Sequence, residues 1–259
     1  LGSGSYKRVW AATCEGFTSK VAYIEYFVTP DDATALLFEQ EYAILSGLKH
    51  RNIIAVCGRV VRPGFMSFLT ELCEFPLDKF LKARPATEDQ KLSIARQIAD
   101  GLAYLHSRRL IHRDLKSSNI MLNMCAGGIE VKIIDFGFAK SMSSSRSRLS
   151  SATAKNTGTP NYMGPEAFDL CEPSSVMDDM KYDDITAKTD VWSYGCVLVE
   201  LFGGVIPWKG RKDIHIMAQF HLRKLPPEIS LVNGPVRSLV DMCLQLDPAK
   251  RTSAQRVVE

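Results

Sequence analysis

His112-Arg113-Asp114-Leu115-Lys116-Ser117-Ser118-Asn119 sets a carboxylate, an ammonium group and an amide close together along the chain, and the elements around it can be read outward. Upstream, Thr87-Glu88-Asp89-Gln90 fits a capping box, in which a hydroxyl and an amide satisfy orphan backbone donors reciprocally. Leu92, Ala95, Ile98, Ala99, Leu102 and Leu105 then continue one helical face. Downstream, an apolar strand over Val131 to Ile134 runs into Asp135-Phe136-Gly137. Ser141 to Ser151, dense in serine and arginine, reads as a mobile loop, and the acidic stretch Asp169 to Asp184 as a surface insertion. Asp190 to Phe202 is apolar nearly all round, the pattern of a buried central helix, and Gly203-Gly204 can end it.

The first seventy or so residues read differently, as strands with one helix. Val9 to Thr13 and Lys20 to Val28 are rich in β-branched and aromatic residues, with Cys14-Glu15-Gly16 as the turn between them. Leu36, Leu37, Ile44, Leu45 and Leu48 recur at helical spacing, which predicts a helix over Ala33 to Leu48, and Met66 to Leu72 is a further strand. The 259 residues are 46% apolar and 24% charged, as in a folded soluble protein. A net charge of +3 is too small to make nucleic acid or a membrane the main partner. The seven cysteines form no CxxC pair and no metal-ligand spacing, which fits reduced thiols in a cytoplasmic protein. The longest apolar run, Val197 to Trp208, is interrupted by Glu200 and two glycines, so no membrane insertion is expected of this segment. The glycine-rich opening reads as a cut through a longer protein, of which this would be a monomeric domain.

The motifs together resemble the eukaryotic protein kinases. His112 to Asn119 resembles their catalytic loop and Asp135-Phe136-Gly137 their metal-binding triplet. Gly158-Thr159-Pro160-Asn161-Tyr162-Met163-Gly164-Pro165-Glu166 resembles the end of their activation segment, with Gly where the family usually has Ala. The resemblance implies an α+β bilobal fold: residues 1–73 as a small antiparallel-sheet lobe with the glycine-rich loop and hinge, and 74–259 as a larger, mainly helical lobe. It implies ATP and Mg2+ as cofactors, with Asn119 and Asp135 as metal ligands, Asp114 orienting the acceptor hydroxyl and Lys116 steadying the transferring phosphoryl group. Gly2, Gly4, Val9, Ala22, Thr70 (the gatekeeper), Glu71 and Cys73 would line the ATP site. Glu166 would pair with Arg251, and Asp190 would bond the catalytic-loop backbone. Lys116 and Thr159 are what serine/threonine kinases carry, so the implied partner is a protein with a Ser or Thr acceptor. Arg113 implies control by phosphorylation at Ser150, Ser151, Thr153 or Thr157.

One family residue is missing. After Val21-Ala22-Tyr23 the family places a lysine that pairs with a helix glutamate, here Glu41, yet this chain has Ile24. Lys7 stands instead at the family's third glycine position, two residues from Val9 and so on the same strand face. If Val9 lies opposite Ala22, Lys7 lies opposite Ile24, with Cβ atoms roughly 4.5–5.5 Å apart. The lysine stem is of similar length, so its ammonium could fill the vacated place near Glu41. This swap resembles that of the WNK (with no lysine) kinases, although Phe136 stands where they usually carry Leu. The stretch from Gly101 to Trp208 resembles the tyrosine-kinase-like serine/threonine group. The alternatives are a pseudokinase acting as a scaffold or allosteric partner, and a switch that binds ATP without transferring phosphate.

Overall fold

A computed structural model describes residues 2–3, 7–16, 18–26, 33–62, 65–141, 159–169 and 187–258. The N-terminal part is a five-stranded antiparallel sheet in the order β1-β2-β3-β5-β4, from Gly2–Ser3 (β1), Lys7–Ala12 (β2), Val21–Tyr26 (β3), Val56–Arg62 (β4) and Phe65–Glu71 (β5). Helix α1 (Ala33–Ser46) covers it, burying Phe38 and Leu45 against Tyr26 and Phe68. The expected face of this helix needs correction: Leu36 is 60% exposed, and fully buried Phe38 fills the core instead.

The C-terminal part is mainly helical. Phe75–Pro76 (β6), Ile120–Cys125 (β8) and Gly128–Ile133 (β9) form a three-stranded sheet, and Leu110–Ile111 (β7) pairs with Lys140–Ser141 (β10). The helices are Leu77–Ala83 (α2), Glu88–Ser107 (α3), Pro165–Asp169 (α4), Ala187–Gly203 (α5), Asp213–His221 (α6), Pro235–Cys243 (α7) and Ala254–Val258 (α8). Helix α3 begins at the expected capping box: Thr87 accepts from the Gln90 N–H, and the Gln90 side chain accepts from the Thr87 N–H. Ile94, Ala95, Ile98, Ala99, Leu102 and Leu105 are buried, whereas Leu92 lies off that face and is half exposed.

Helix α5 is the centre of the domain. Every residue from Thr189 to Leu201 is buried, including Trp192 and Tyr194. Gly195 lets α7 approach, since a Cβ there would lie 2.8 Å from the Cys243 Cβ. The helix ends at Gly203 as expected, with Gly204 at φ +74°. The loop after α1 joins the two parts of the fold: Ile54 N–H donates to Ile133 O at 3.1 Å and Ile133 N–H to Asn52 O at 2.8 Å. Beneath it, the buried Asn52 amide donates to Gln97 Oε1 and to Val131 O, both at 3.0 Å. A loop carrying these pairs cannot slide, so the sheet and the helices keep a fixed register at their junction.

Thr87→Ala removes one side of the capping box and should cost about 1 kcal/mol. The check is equilibrium urea unfolding, with a lower midpoint and an unchanged slope.

Candidate active site

The catalytic-loop string is held from below by Asp190 in the first turn of α5. This carboxylate is fully buried and accepts from the His112 N–H at 2.8 Å and the Arg113 N–H at 2.9 Å, and its Oδ2 lies 2.9 Å from His106 Nε2. Burial works against its charge, but the bond and charge of His106 and the bond from the His112 backbone outweigh that and hold the carboxyl below the usual range. Arg113 sits at φ +69°, a conformation that persists in a non-glycine residue only where its surroundings enforce it. Asp190 supplies that enforcement, as the resemblance implied.

Above this support, Asp114 is 5% exposed, and its Oδ2 accepts from Lys116 Nζ at 2.7 Å and from Asn119 Nδ2 at 3.0 Å. Asn119 Nδ2 also donates to Asp114 O at 2.8 Å, so the carbonyl oxygen is the end of this amide turned away from Asp114. The backbone brings Asn119 beside the Asp135 triplet, because Ile134 N–H donates to Asn119 O at 2.9 Å. Asp135 itself lies at φ +67°, a second enforced backbone at the same site.

In the sheet, β2 and β3 pair with Lys7 opposite Tyr26, Val9 opposite Ile24 and Ala11 opposite Ala22. The expected register is therefore corrected by two residues. Val9 and Ala22 are diagonal neighbours on one face, a relation that brings side chains to the same side of a sheet without facing them directly. Lys7 keeps the expected face and still spans the distance. Its Nζ lies 3.2 and 3.3 Å from the two Glu41 oxygens and 2.8 Å from Asp135 Oδ1. Burial opposes its charge, but Glu41 and Asp135 raise the Lys7 pKa well above the ordinary lysine value. Asp135 answers in kind: burial would raise its pKa, yet the Lys7 charge and hydrogen bond hold it below the usual carboxylate range. Ile24, half-buried, packs against the core where the family's lysine would stand.

Of the remaining expected residues, Ala22 lies opposite Thr70 on the neighbouring strand, and Gly2 pairs with Val9. Cys73 is buried, which raises its thiol pKa to about 12. The Glu71 side chain accepts from the Ala55 N–H at 2.8 Å and pairs with Lys132 at 3.2 Å. Thr159 takes part through its carbonyl, which accepts from the Tyr162 N–H at 2.9 Å; among the described residues its hydroxyl bonds neither Asp114 nor Lys116. Gly4, Ser150, Ser151, Thr153, Thr157 and most of the acidic stretch lie outside the described residues. The Glu166–Arg251 pair forms as expected, bidentate at 2.6 and 2.7 Å and buried, with the guanidinium over the Trp192 ring. Two contacts went unread in the sequence. His106, at the end of α3, is a third partner of Asp190, and Tyr26 donates to Glu41. The only available signal for Tyr26 was its place two residues after Ile24 on the same strand face.

With this geometry in view, comparison with known proteins is consistent. The protein kinase domain family matches residues 1–259, and the chain belongs to that family. It is 29% identical to mitogen-activated protein kinase kinase kinase 5 of Arabidopsis thaliana over 266 residues, which is all of this chain and 35% of that protein. It is 30% identical to the plant's mitogen-activated protein kinase kinase kinase 3 over 270 residues, again all of this chain and 41% of that protein. A megakaryocyte-associated tyrosine-protein kinase of Rattus norvegicus is 29% identical over 234 residues, 88% of this chain and 45% of that protein. The chain thus spans less than half the length of these curated relatives.

Asp190→Asn leaves one buried N–H without a good acceptor and should cost about 2 kcal/mol at neutral pH. Because the folded carboxyl titrates below its unfolded value of about 3.9, its contribution is full above that value and fades as pH falls through the folded pKa. Urea unfolding at a series of pH values should show wild type and variant converging on the acid side.

Proposed function

We propose that this domain transfers the γ-phosphoryl group of ATP to serine or threonine hydroxyls of protein substrates, with Lys7 supplying the amine that fixes the nucleotide's phosphates. The observation that carries this reading is the position of the Lys7 ammonium, within 3.3 Å of Glu41 and 2.8 Å of Asp135. In this family the amine at that place contacts the α- and β-phosphates. The WNK kinases differ from other kinases in the same way, by supplying the amine from the glycine-rich strand.

The donor set fits a magnesium nucleotide. The Asp135 carboxylate and the Asn119 amide oxygen are hard ligands of the kind Mg2+ takes, and Ile134 N–H ties the two residues together. The ion, when bound, would neutralise charge on the transferring phosphates. Asp114 orients the acceptor hydroxyl and takes up its proton. Its Oδ2 is committed to Lys116 and Asn119, and among the described residues none donates to Oδ1. Lys116 is placed to steady the phosphoryl group as charge shifts. Catalysis on this reading is positioning and charge stabilisation.

Lys116, two residues after Asp114, supports serine/threonine acceptors, as do the mitogen-activated protein kinase kinase kinases among the relatives. One observation favours the rival reading as a non-catalytic scaffold: Ile24 can neither neutralise phosphate nor pair with Glu41. Against it stand the Lys7 contacts with Glu41 and Asp135.

Arg113 suggests regulation. Its guanidinium is partly buried, burial lowers its pKa against the opposing influence of Asp190, and among the described residues it has no ion-pair partner. A phosphate on Ser150, Ser151, Thr153 or Thr157 would provide one.

Lys7→Met should lower the phosphotransfer rate by on the order of 10²–10³, and Asp114→Asn should abolish it. A Lys7→Met protein as active as wild type in a radioactive ATP assay sinks the relocation. Treating the active protein with a phosphatase should reduce kcat, with activity restored on incubation with ATP; unchanged kcat removes the regulatory proposal.

A further inference from the structure

Tyr26 takes no part in the chemistry described above, yet it is buried beside the site. Strand β3 sets it directly opposite Lys7 and on the face that carries Ala22 and Ile24. Its ring is 4% exposed, edge-on to Phe38 with centroids 5.3 Å apart and 5.9 Å from Phe68. Those two rings, 5.8 Å from each other, restrict the phenol's orientation. The hydroxyl donates to Glu41 Oε2 on α1, and the Lys7 ammonium lies 5.7 Å from the ring centroid.

This arrangement answers a mechanical difficulty. An amine on β3 would project from the middle of the sheet; Lys7 reaches the same place from the strand that follows the glycine-rich loop. Its long stem has many rotamers, and its ammonium is shared with Asp135. The acceptor must therefore be fixed more firmly. Glu41 is 3% exposed, and a buried carboxylate needs donors on both oxygens. Without Tyr26 it would depend on the amine it is meant to hold. Burial and the adjoining Glu41 carboxylate raise the Tyr26 pKa, so the hydroxyl remains a donor at any working pH.

We propose that Tyr26 is a positioning residue for the relocated amine: its hydroxyl fixes the Glu41 carboxylate so that Glu41 can hold Lys7 against the nucleotide's phosphates. The inference rests on the Lys7 reading above. Tyr26, buried behind Lys7, would act only through Glu41 and Lys7.

The test is a double-mutant cycle read by calorimetric binding of ADP with Mg2+, with circular dichroism to show that each variant is folded. Tyr26→Phe keeps the ring and its aromatic neighbours and removes the hydroxyl alone. It should weaken ADP binding by roughly fivefold, within the worth of one hydrogen bond. In a Lys7→Met background, and again in Glu41→Gln, the same change should alter affinity by less than about twofold, because the path it acts through is already broken. Equal losses in all three backgrounds would mean that Tyr26 supports the fold in general and would overturn the proposal, as would no loss in the wild-type background. If Lys7→Met alone binds ADP as tightly as wild type, the Lys7 reading itself has failed. If Lys7→Met binds weakly while Tyr26→Phe does not, that reading stands and only the role of Tyr26 falls.

Discussion

A carboxylate with no exposure to water stands beneath the catalytic loop, and the loop's shape follows from it. Burying an ionised carboxyl is unfavourable unless donors surround it, and Asp190 has two backbone N–H groups and the His106 ring. Those two N–H groups belong to His112 and Arg113, so satisfying the charge forces Arg113 into its left-handed conformation. Asp114 follows directly and inherits its direction from that turn. Because α5 is buried along almost its whole length, this support cannot shift without disturbing the core. The Glu166–Arg251 pair adds a second fixed charge beside the same helix, at the point where α4 meets the segment before α8. Each ion would be costly alone; paired and hydrogen-bonded, they set geometry more than they add stability.

At the opposite side of the site the logic is reversed. Lys7 is a flexible cation brought to two carboxylates that do not move with it: Glu41 on α1 and Asp135 at the end of β9. It thereby links the sheet, its helix and the Asp135-Phe136-Gly137 triplet. Ile24, on the neighbouring strand, contributes only hydrocarbon and packs against the core.

Much of this was legible in the chain. The catalytic string, the Asp135 triplet, the capped helix and the all-buried central helix each combine a local pattern with a strong physical requirement, and each formed where expected. The register of β2 and β3 did not, because shared facing and direct opposition are different relations and the sequence reports only the first. Leu36 and Leu92 were misplaced because helical spacing identifies an apolar stripe without saying where packing ends. The loop around Asn52 and the bonds of Gln97 were invisible, since they depend on which backbone carbonyls three separate elements bring together. His106 and Tyr26 were missed for the same reason. Each acts across the fold on a carboxylate that the sequence had already singled out for another partner.

On the reading proposed for Lys7, its amine also alters what a nucleotide cleft would offer to synthetic ligands. A reagent aimed at an amine on β3 would meet the methyl groups of Ile24. The Lys7 amine comes from β2 instead, and Glu41 and Asp135 favour its protonated, poorly nucleophilic form. Selectivity on that reading is better sought in compounds that place a compact anion beside Lys7 than in electrophiles aimed at β3.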